Sequence, residues 1–199
     1  RDSNPAGVLP LIRCLQTDPY PAAREIAAQG LGYLGDARAA KPLAAALRDP
    51  DAHVRRRAAA ALITVPAQSV VPELAAAATT DKVAEVRRFA VEALGWVGGA
   101  AVVPALNQAT TDQVAEVRRY AAIELGKIGD ASSVDALSAL LDATPDPDAD
   151  VRWAAVIALG KLKDKRAEQV LVRALSDPSP QVSNSAERAL QRLGIAAQE

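Results

Sequence analysis

Hydrophobic and polar positions follow a helical period along the chain, in a pattern that returns every thirty-odd residues. Valine followed by arginine recurs at Val54, Val86, Val117 and Val151, at intervals of 32, 31 and 34 residues. Each valine is followed eight residues later by leucine, and an aspartate stands six residues before each arginine. Three landmarks in constant register indicate internal duplication, and this period is typical of stacked solenoid repeats.

The segment 37–66 shows how one repeat divides into two helices. Leu43 and Leu47 lie four residues apart in a first helix, and an apolar stripe beginning at Val54 marks a second. Pro50 cannot continue the first helix, and the aspartates beside it can cap the second. Each repeat is therefore predicted to be a helical hairpin. Hairpins must stack, because one alone has too little apolar surface.

The same frame extends towards both ends of the chain and gives six repeats. The last repeat has Val182-Ser183-Asn184-Ser185 where others have valine, two arginines and an aromatic, which predicts an end cap. The first repeat begins its apolar pattern at Val8, which predicts a missing segment or a partner there, with a dimer or heteromer as one form. A single domain, 1–199, is predicted, with repeats at approximately 4–36, 37–66, 67–98, 99–130, 131–164 and 165–194.

The amino-acid composition is typical of a helical protein, and the net charge limits the kinds of partner that the protein can attract. Half of the residues are hydrophobic, only 3% are aromatic, and methionine is absent. The net charge of -1 argues against a nucleic-acid partner. The single cysteine, Cys14, excludes an intrachain disulfide and fits a reducing compartment. No apolar run reaches the ~20 residues of a membrane span, so we expect a cytoplasmic protein without membrane insertion.

The repeated motif resembles the HEAT-like repeat of phycobilisome lyase-type proteins. It consists of Asp-Pro, then Val-Arg, Ala-Ala, Ala-Leu-Gly and Gly-Asp in register over residues 4–194. The resemblance implies an all-α fold, a right-handed α-solenoid of about six HEAT-like helical hairpins. It also implies a structural ladder of charge-assisted hydrogen bonds between neighbouring repeats. The implied ladder pairs are Asp18 with Arg24, Asp49 with Arg55, Asp81 with Arg87, Asp112 with Arg118 and Asp146 with Arg152.

The second helices also predict a surface that is open to binding. At about 100° per residue from the valine, offsets 2, 6 and 9, flanked by 3 and 10, lie opposite the apolar stripe. HEAT-like solenoids place second helices on the concave side, so these offsets are expected to line a groove. Aromatic and arginine side chains gathered on one face are typical of interaction surfaces. The predicted concave-face binding residues are Tyr33, Arg56, Arg88, Phe89, Glu92, Trp96, Arg119, Tyr120, Ile123, Lys127, Trp153, Ile157 and Lys161.

Two structural alternatives apply to parts of this set. Phe89 and Tyr120 stand at the edge of the face and could wedge between neighbouring second helices. The arginines at offset 2, such as Arg88 and Arg119, could simply form a solvated surface. Trp96 and Trp153 fit these alternatives less well, because an indole needs room and a partner for its N–H.

The sequence predicts no catalytic residue and no metal site. His53 is the only histidine, which excludes zinc sites built on paired histidines. Cys14 stands among aliphatic residues and is expected to be a buried small hydrophobe. Asp146, Asp148 and Asp150 alternate like a calcium loop, but the glycine that such a loop requires is absent. Turn and capping roles explain them.

Three functions compete at this point. The leading hypothesis is a non-enzymatic scaffold that binds a protein partner and needs no cofactor. The family resemblance implies an alternative, a bilin lyase subunit or another chromophore-handling factor, in which aromatics and arginines hold a tetrapyrrole and its propionates. A HEAT-like DNA alkylation repair protein is a third, and the near-neutral charge counts against it.

Overall fold

The structure, a computed structural model, describes residues 5–142 and 145–195. In these two ranges the chain forms α-helices, short 3-10 turns and loops, with no strand. No helix within them is both long and apolar enough to span a membrane. The α-helices of the described chain are α1 Pro5–Thr17, α2 Pro21–Leu34, α3 Ala40–Ala46, α4 Ala52–Leu62, α5 Val71–Thr80, α6 Ala84–Val97, α7 Val103–Ala109, α8 Ala115–Ile128, α9 Val134–Ala139, α10 Ala149–Leu162, α11 Glu168–Ala174 and α12 Pro180–Arg192.

These helices pair into six hairpins, so the all-α hairpin fold predicted from the sequence is confirmed. The odd-numbered helices are the first helices of the repeats and the even-numbered ones are the second. From the second repeat onwards, a 3-10 turn of three residues precedes each first helix, which the sequence pattern did not predict. In three of these turns the preceding aspartate accepts a backbone N–H two residues later and fixes the start of the turn. These aspartates are Asp36, Asp130 and Asp164.

The chain divides into two compact units, Arg1–Gly98 and Gly99–Glu199. In the first unit, α4 packs between α2 and α6, and each second helix also packs on the first helix of its own hairpin. In the second unit, α10 packs in the same way between α8 and α12. The division falls at a predicted repeat boundary. One continuous domain over 1–199 stays a prediction.

Repeated leucines and valines form the core of each unit. The valines that begin the repeated motif, Val54, Val86, Val117 and Val151, have no exposed surface. Burial of one such side chain stabilises the fold by about 1.5–3 kcal/mol. From α3 to α12, every helix contributes one leucine that is fully buried, and these leucines are Leu43, Leu62, Leu74, Leu94, Leu106, Leu125, Leu137, Leu159, Leu171 and Leu190.

Glycines inside the second helices allow neighbouring second helices to approach closely. A β-carbon on Gly126 of α8 would lie 2.8 Å from both Cα and Cβ of Ala158 in α10. A β-carbon on Gly160 of α10 would lie 2.8 Å from Cβ of Ala189 in α12. These glycines stand at offset 9, which the helical projection placed on the open face. For these two glycines that placement was wrong, because the next second helix covers this flank of α8 and of α10.

The last helix, α12, only partly matches the predicted polar cap. Asn184 and Glu187 are exposed, as a helix at the end of a stack requires. Ser185, however, is buried, although its serine was expected to face water. A small hydroxyl is tolerated at that position, because it adds little volume to the packed layer.

Candidate functional site: ladder and second-helix faces

Within each unit, a ladder arginine joins two consecutive hairpins through three hydrogen-bonding nitrogens, and the arginines shown to do so are Arg24, Arg55, Arg118 and Arg152. Arg152 donates from Nε and Nη2 to the carboxylate of Asp177, at 2.8 and 2.9 Å. Its Nη1 donates to the main-chain carbonyl of Asp146, at 2.7 Å. The aspartate six residues before the arginine therefore supplies only a carbonyl, and the carboxylate comes from the next hairpin. The pairing that the resemblance implied, with the side chain of the nearer aspartate, is wrong for the arginines whose carboxylate partner is described. A planar guanidinium suits this arrangement, because it can bond two acceptors in different directions.

The same geometry recurs in both units. Arg24 binds the Asp49 carboxylate at 2.8 and 2.9 Å, and Arg55 binds the Asp81 carboxylate at 2.8 and 3.3 Å. In the second unit, Arg118 binds Asp146 through Nε and Nη2. The arginine Nη1 also reaches a carbonyl in its own hairpin, and these carbonyls belong to Asp18, Asp49, Asp81 (from Arg87) and Asp112.

Ladder aspartates also shape the turn between the two helices of a hairpin. In Asp49, Oδ1 accepts the backbone N–H of Asp51 at 2.9 Å, and Asp177 does the same for Ser179 at 2.8 Å. One carboxylate therefore fixes a turn and binds the preceding hairpin. Asp18 makes the turn bond to the N–H of Tyr20.

Two ladder pairs, Arg24 with Asp49 and Arg152 with Asp177, raise the pKa of the arginine and lower the pKa of the aspartate. For Asp177, the hydrogen bond from Arg152 lowers the pKa, burial opposes it, and the Ser179 N–H adds to the lowering. For Asp49, burial raises the pKa, but the hydrogen bonds from Arg24 and the Asp51 N–H outweigh it. A carboxyl whose pKa is lower in the folded state contributes stability above its unfolded pKa, and that contribution is lost as pH falls through the folded pKa.

We therefore expect acid to weaken the native protein more than an Asp177→Asn variant. Because the unfolded pKa of Asp177 is near 3.8, its contribution is complete above that value and disappears at lower pH. The measurement is urea unfolding between about pH 5 and pH 2. Asp135→Asn is the control, since that carboxylate is 85% exposed. Equal pH dependence in the native protein and Asp177→Asn would contradict the assignment.

The open surface of the first unit, here called the first-unit face, carries two large exposed aromatics. Tyr33 is 82% exposed and Trp96 is 61% exposed, near the C-terminal ends of α2 and α6. Ile26 on α2 is also exposed, at 67%. The residues of the first-unit face are Glu25, Ile26, Gln29, Tyr33, Arg56, Arg57, Ala60, Thr64, Arg88, Phe89, Glu92 and Trp96.

Arginines of the first-unit face share few acidic partners. Arg56 and Arg57 both approach Oε1 of Glu25, at 3.7 and 3.4 Å. Arg88 pairs with Glu92 at 3.2 Å, and its guanidinium lies 3.8 Å from the ring centre of Phe89. Phe89 is half-buried under that guanidinium, so its ring is less available to a partner than those of the two exposed aromatics.

A shallow pocket opens on this face between α2 and α4. Its volume is about 150 Å³. Gly32 of α2 and Ala61 of α4 meet at the floor of the pocket, and the floor is apolar because neither residue has a polar side chain. The lining residues are Gln29, Gly32, Tyr33, Arg57, Ala60, Ala61 and Thr64. A space of this size fits one aliphatic or aromatic side chain.

The second-unit face has a different character, with half-buried apolar residues among cations. Ile123, Trp153 and Ile157 are half-buried, and Lys161 is exposed. The twelve positions of this face are Arg119, Tyr120, Ile123, Lys127, Trp153, Ala154, Ile157, Lys161, Asn184, Ser185, Arg188 and Arg192. Ala154 and Ser185 are buried beneath the others.

Two cations of the second-unit face have acidic partners. Lys127 donates to the carboxylate of Glu124 at 2.7 Å, and Glu124 itself is almost fully buried. Arg119 lies 3.9 Å from a carboxylate oxygen of Asp150 and 5.5 Å from the ring centre of Tyr120.

All thirteen predicted binding residues are at least partly exposed. Tyr33, Trp96, Lys127 and Lys161 are the exposed ones, and the other nine are half-buried. The structure groups six of them in the first unit and seven in the second, and their use in binding stays a prediction. The same offsets also carry residues outside the list of predicted binding residues, and these are Ile26, Gln29, Arg57, Thr64, Arg188 and Arg192.

The remaining candidate groups have structural surroundings. Cys14 is half-buried, with Sγ 3.6 Å from the carbonyl oxygen of Ala23. Asp148 accepts the backbone N–H groups of Asp150 and Val151 and caps α10. Within the described residues, no group of three or more histidine, cysteine or acidic side chains could hold a metal ion.

Comparison with solved structures gives the fold. An engineered protein aligns with a TM-score of 0.67 at 23% identity, over 94% of this chain and 96% of that one. Human deoxyhypusine hydroxylase in complex with glycerol aligns with a TM-score of 0.58 at 24% identity, over 96% and 75%. The complex of CpcE and CpcF of phycocyanin lyase from Nostoc sp. PCC7120 aligns with a TM-score of 0.53 at 24% identity, over 94% and 74%.

One further neighbour is a peptide complex. A designed armadillo repeat protein in complex with the peptide (KR)4 aligns with a TM-score of 0.67 at 17% identity, over 94% of this chain and 99% of that one. No curated protein sequence matches the chain. The sequence profile of HEAT repeats matches residues 8–88, 71–148 and 138–198, which together span most of the chain. With six helical hairpins and this match, the chain belongs to the HEAT-repeat family.

Proposed function

We propose that this protein is a non-enzymatic scaffold that binds an extended segment of a protein partner on its second helices. The observation that carries the proposal is the pair of exposed aromatics, Tyr33 and Trp96, on the first-unit face. The sequence contains six aromatic residues in all, so two that are more than half exposed on one face are unusual. Exposed tyrosine and tryptophan supply much of the binding energy in protein interfaces.

The spacing of the second helices suits an extended peptide. Packed helices lie about 8–10 Å apart, so α2 and α6, with α4 between them, are separated by roughly 18 Å. An extended chain advances about 3.3 Å per residue, and roughly six residues would reach from Tyr33 to Trp96. One side chain of such a peptide could enter the pocket beside Tyr33. A designed neighbour with this fold binds a peptide, which makes the mode physically reasonable.

The expected result is that peptides selected on the native protein depend on the two aromatics. The selection uses a display library of random peptides about 12 residues long, because such a peptide is longer than the roughly six residues needed to reach from Tyr33 to Trp96. The Tyr33→Ala/Trp96→Ala variant should bind the first-unit ligands at least about tenfold more weakly. Its thermal unfolding should stay unchanged, because both side chains are exposed.

Tyr20→Ala is the matched control for that experiment. Tyr20 is 72% exposed but lies in the turn between α1 and α2, away from the first-unit face. Binding should therefore survive its replacement. If no peptide is enriched, or if the double variant retains every selected peptide as well as Tyr20→Ala does, the proposed function is wrong.

The bilin alternative remains a separate proposal, supported by arginines beside aromatics on both faces. The pocket on the first-unit face is small for it. Its volume of about 150 Å³ is below the roughly 300 Å³ from which small-molecule pockets begin. Mixing the protein with a free bilin and recording the visible absorption separates the two proposals, because a shifted and sharpened band is expected only for a bound tetrapyrrole.

A further inference from the structure

The second-unit face has a charge bias that the rest of the chain lacks. Acidic and basic residues nearly balance over the whole sequence, at 24 and 23. The twelve positions of the second-unit face nevertheless include no acid, and their five cations are Arg119, Lys127, Lys161, Arg188 and Arg192. The corresponding positions of the first unit hold three arginines and two glutamates. The bias is therefore a property of the second unit.

Three of these cations have no acidic partner among the residues that the structure describes. Lys161, Arg188 and Arg192 are exposed, and no carboxylate in residues 5–142 or 145–195 lies within ion-pair distance of them. They stand on α10 and α12, which pack against each other. Their positive charges consequently remain available to a partner.

Helix stability explains only part of this arrangement. Lys127, Lys161 and Arg192 lie in the last turns of their helices, where a cation is favoured by the helix dipole. Arg119 lies near the N-terminal end of α8, where the dipole disfavours a cation. Arg188 lies in the middle of α12 and gains little either way. The helix dipole therefore does not explain the presence of Arg119 and Arg188.

Apolar side chains lie beside the cations, and they favour an acidic polypeptide over a nucleic acid as the anionic partner. Ile123 on α8 and Trp153 and Ile157 on α10 are half-buried, so each presents part of its surface to solvent. A nucleic acid can stack a base on Trp153, but its sugar-phosphate backbone has no aliphatic side chain to place against Ile123 and Ile157. A polypeptide with carboxylates and aliphatic or aromatic side chains can use both features, since it pairs its charges and buries its apolar groups at once.

We infer that the second-unit face is a docking surface for an acidic polypeptide segment with interspersed apolar residues. In this arrangement the carboxylates of the segment pair with Lys161, Arg188 and Arg192. Its apolar side chains cover Ile157 and Trp153. This surface is separate from the exposed aromatics of the first-unit face, and it defines a second class of ligand for the protein.

The test is a peptide selection carried out on the Tyr33→Ala/Trp96→Ala variant, which lacks the aromatic anchors of the first unit. Peptides about 12 residues long that are recovered in this selection should be rich in glutamate and aspartate, with aliphatic or aromatic residues between them. Adding Lys161→Glu and Arg188→Glu should weaken their binding at least about tenfold. Binding should also weaken as salt rises, because the pairs are exposed.

Lys41→Glu with Lys165→Glu is the matched control. Both lysines are exposed, lie outside the second-unit face, and give the same change of net charge. Recovery of neutral or basic peptides, recovery of none, or equal loss of binding in this control would overturn the inference. Tighter binding of a thymidine oligonucleotide than of the selected peptides would also overturn it. Peptides selected on the native protein that lose binding in the Tyr33→Ala/Trp96→Ala variant report on the first-unit face, and peptides selected on that variant report on the second-unit face, so the two proposals can fail independently.

Discussion

Replacing Gly126 with alanine is expected to destabilise the protein by about 2 kcal/mol, although alanine is the better helix former. The added β-carbon would lie 2.8 Å from the Cα and Cβ atoms of Ala158, and a backbone atom cannot move aside as a side-chain tip can. Overpacking of this kind costs about 1–3 kcal/mol or more, and the gain in helix propensity of about 1 kcal/mol offsets only part of it. Urea and thermal unfolding measure the change.

Gly30→Ala is the control for this prediction. Its β-carbon would meet only the terminal methyl groups of Leu11, the nearest at 3.0 Å, and that side chain can shift. We expect little change in stability. Removing the opposing β-carbon in a Gly126→Ala/Ala158→Gly variant should restore part of the loss, and the contact with the Ala158 Cα should prevent full recovery. A Gly126→Ala protein as stable as the native one would contradict the close packing of α8 and α10.

Replacing Arg118 with alanine is expected to lower the free energy of unfolding by about 3 kcal/mol. The side chains of Arg118 and Asp146 are only 13% and 5% exposed, so the change leaves a carboxylate buried without its partner. The carbonyl of Asp112 also loses its donor. For a chain of this length, such a loss lowers the melting temperature by roughly 6–12 °C.

The adjacent arginine gives a matched comparison. Arg119 has a 35% exposed side chain and reaches Asp150 only at 3.9 Å, so Arg119→Ala should change stability by less than about 0.5 kcal/mol. The double variant Arg118→Ala/Asp146→Ala should be destabilised by less than the sum of the two single variants, because both changes disrupt the same pair. Similar stability for the Arg118 and Arg119 variants would show that the ladder is not a stabilising contact.

The hairpins and their order could be predicted from the sequence because one landmark recurs in each second helix. A valine such as Val117 and the leucine eight residues later, Leu125, must share a buried stripe at helical period, and both are fully buried. The 3-10 turns before the first helices could not be predicted in the same way. A segment of three residues is too short for its periodicity to be recognised.

Contacts between repeats were harder to predict than contacts within them. The carboxylate partner of Arg152 is 25 residues further along the chain, and the spacing within one repeat only relates the arginine to Asp146. Helical geometry correctly predicted that the position of Tyr33 and Trp96 in their second helices is open to solvent. At the offset of Gly160 the same geometry failed, because the position of the neighbouring helix decides which flank is covered.

The repeated ladder makes the junctions between hairpins interchangeable. Every junction described within a unit uses an arginine of one hairpin and the aspartate carboxylate of the next, as in Arg24 with Asp49 and Arg55 with Asp81. A hairpin therefore presents the same acceptor to its predecessor and the same donor to its successor. Duplication or loss of one whole hairpin would leave matching groups at the new junction. Such a gene can change length in steps of one repeat during evolution, while each intermediate protein keeps its charges paired.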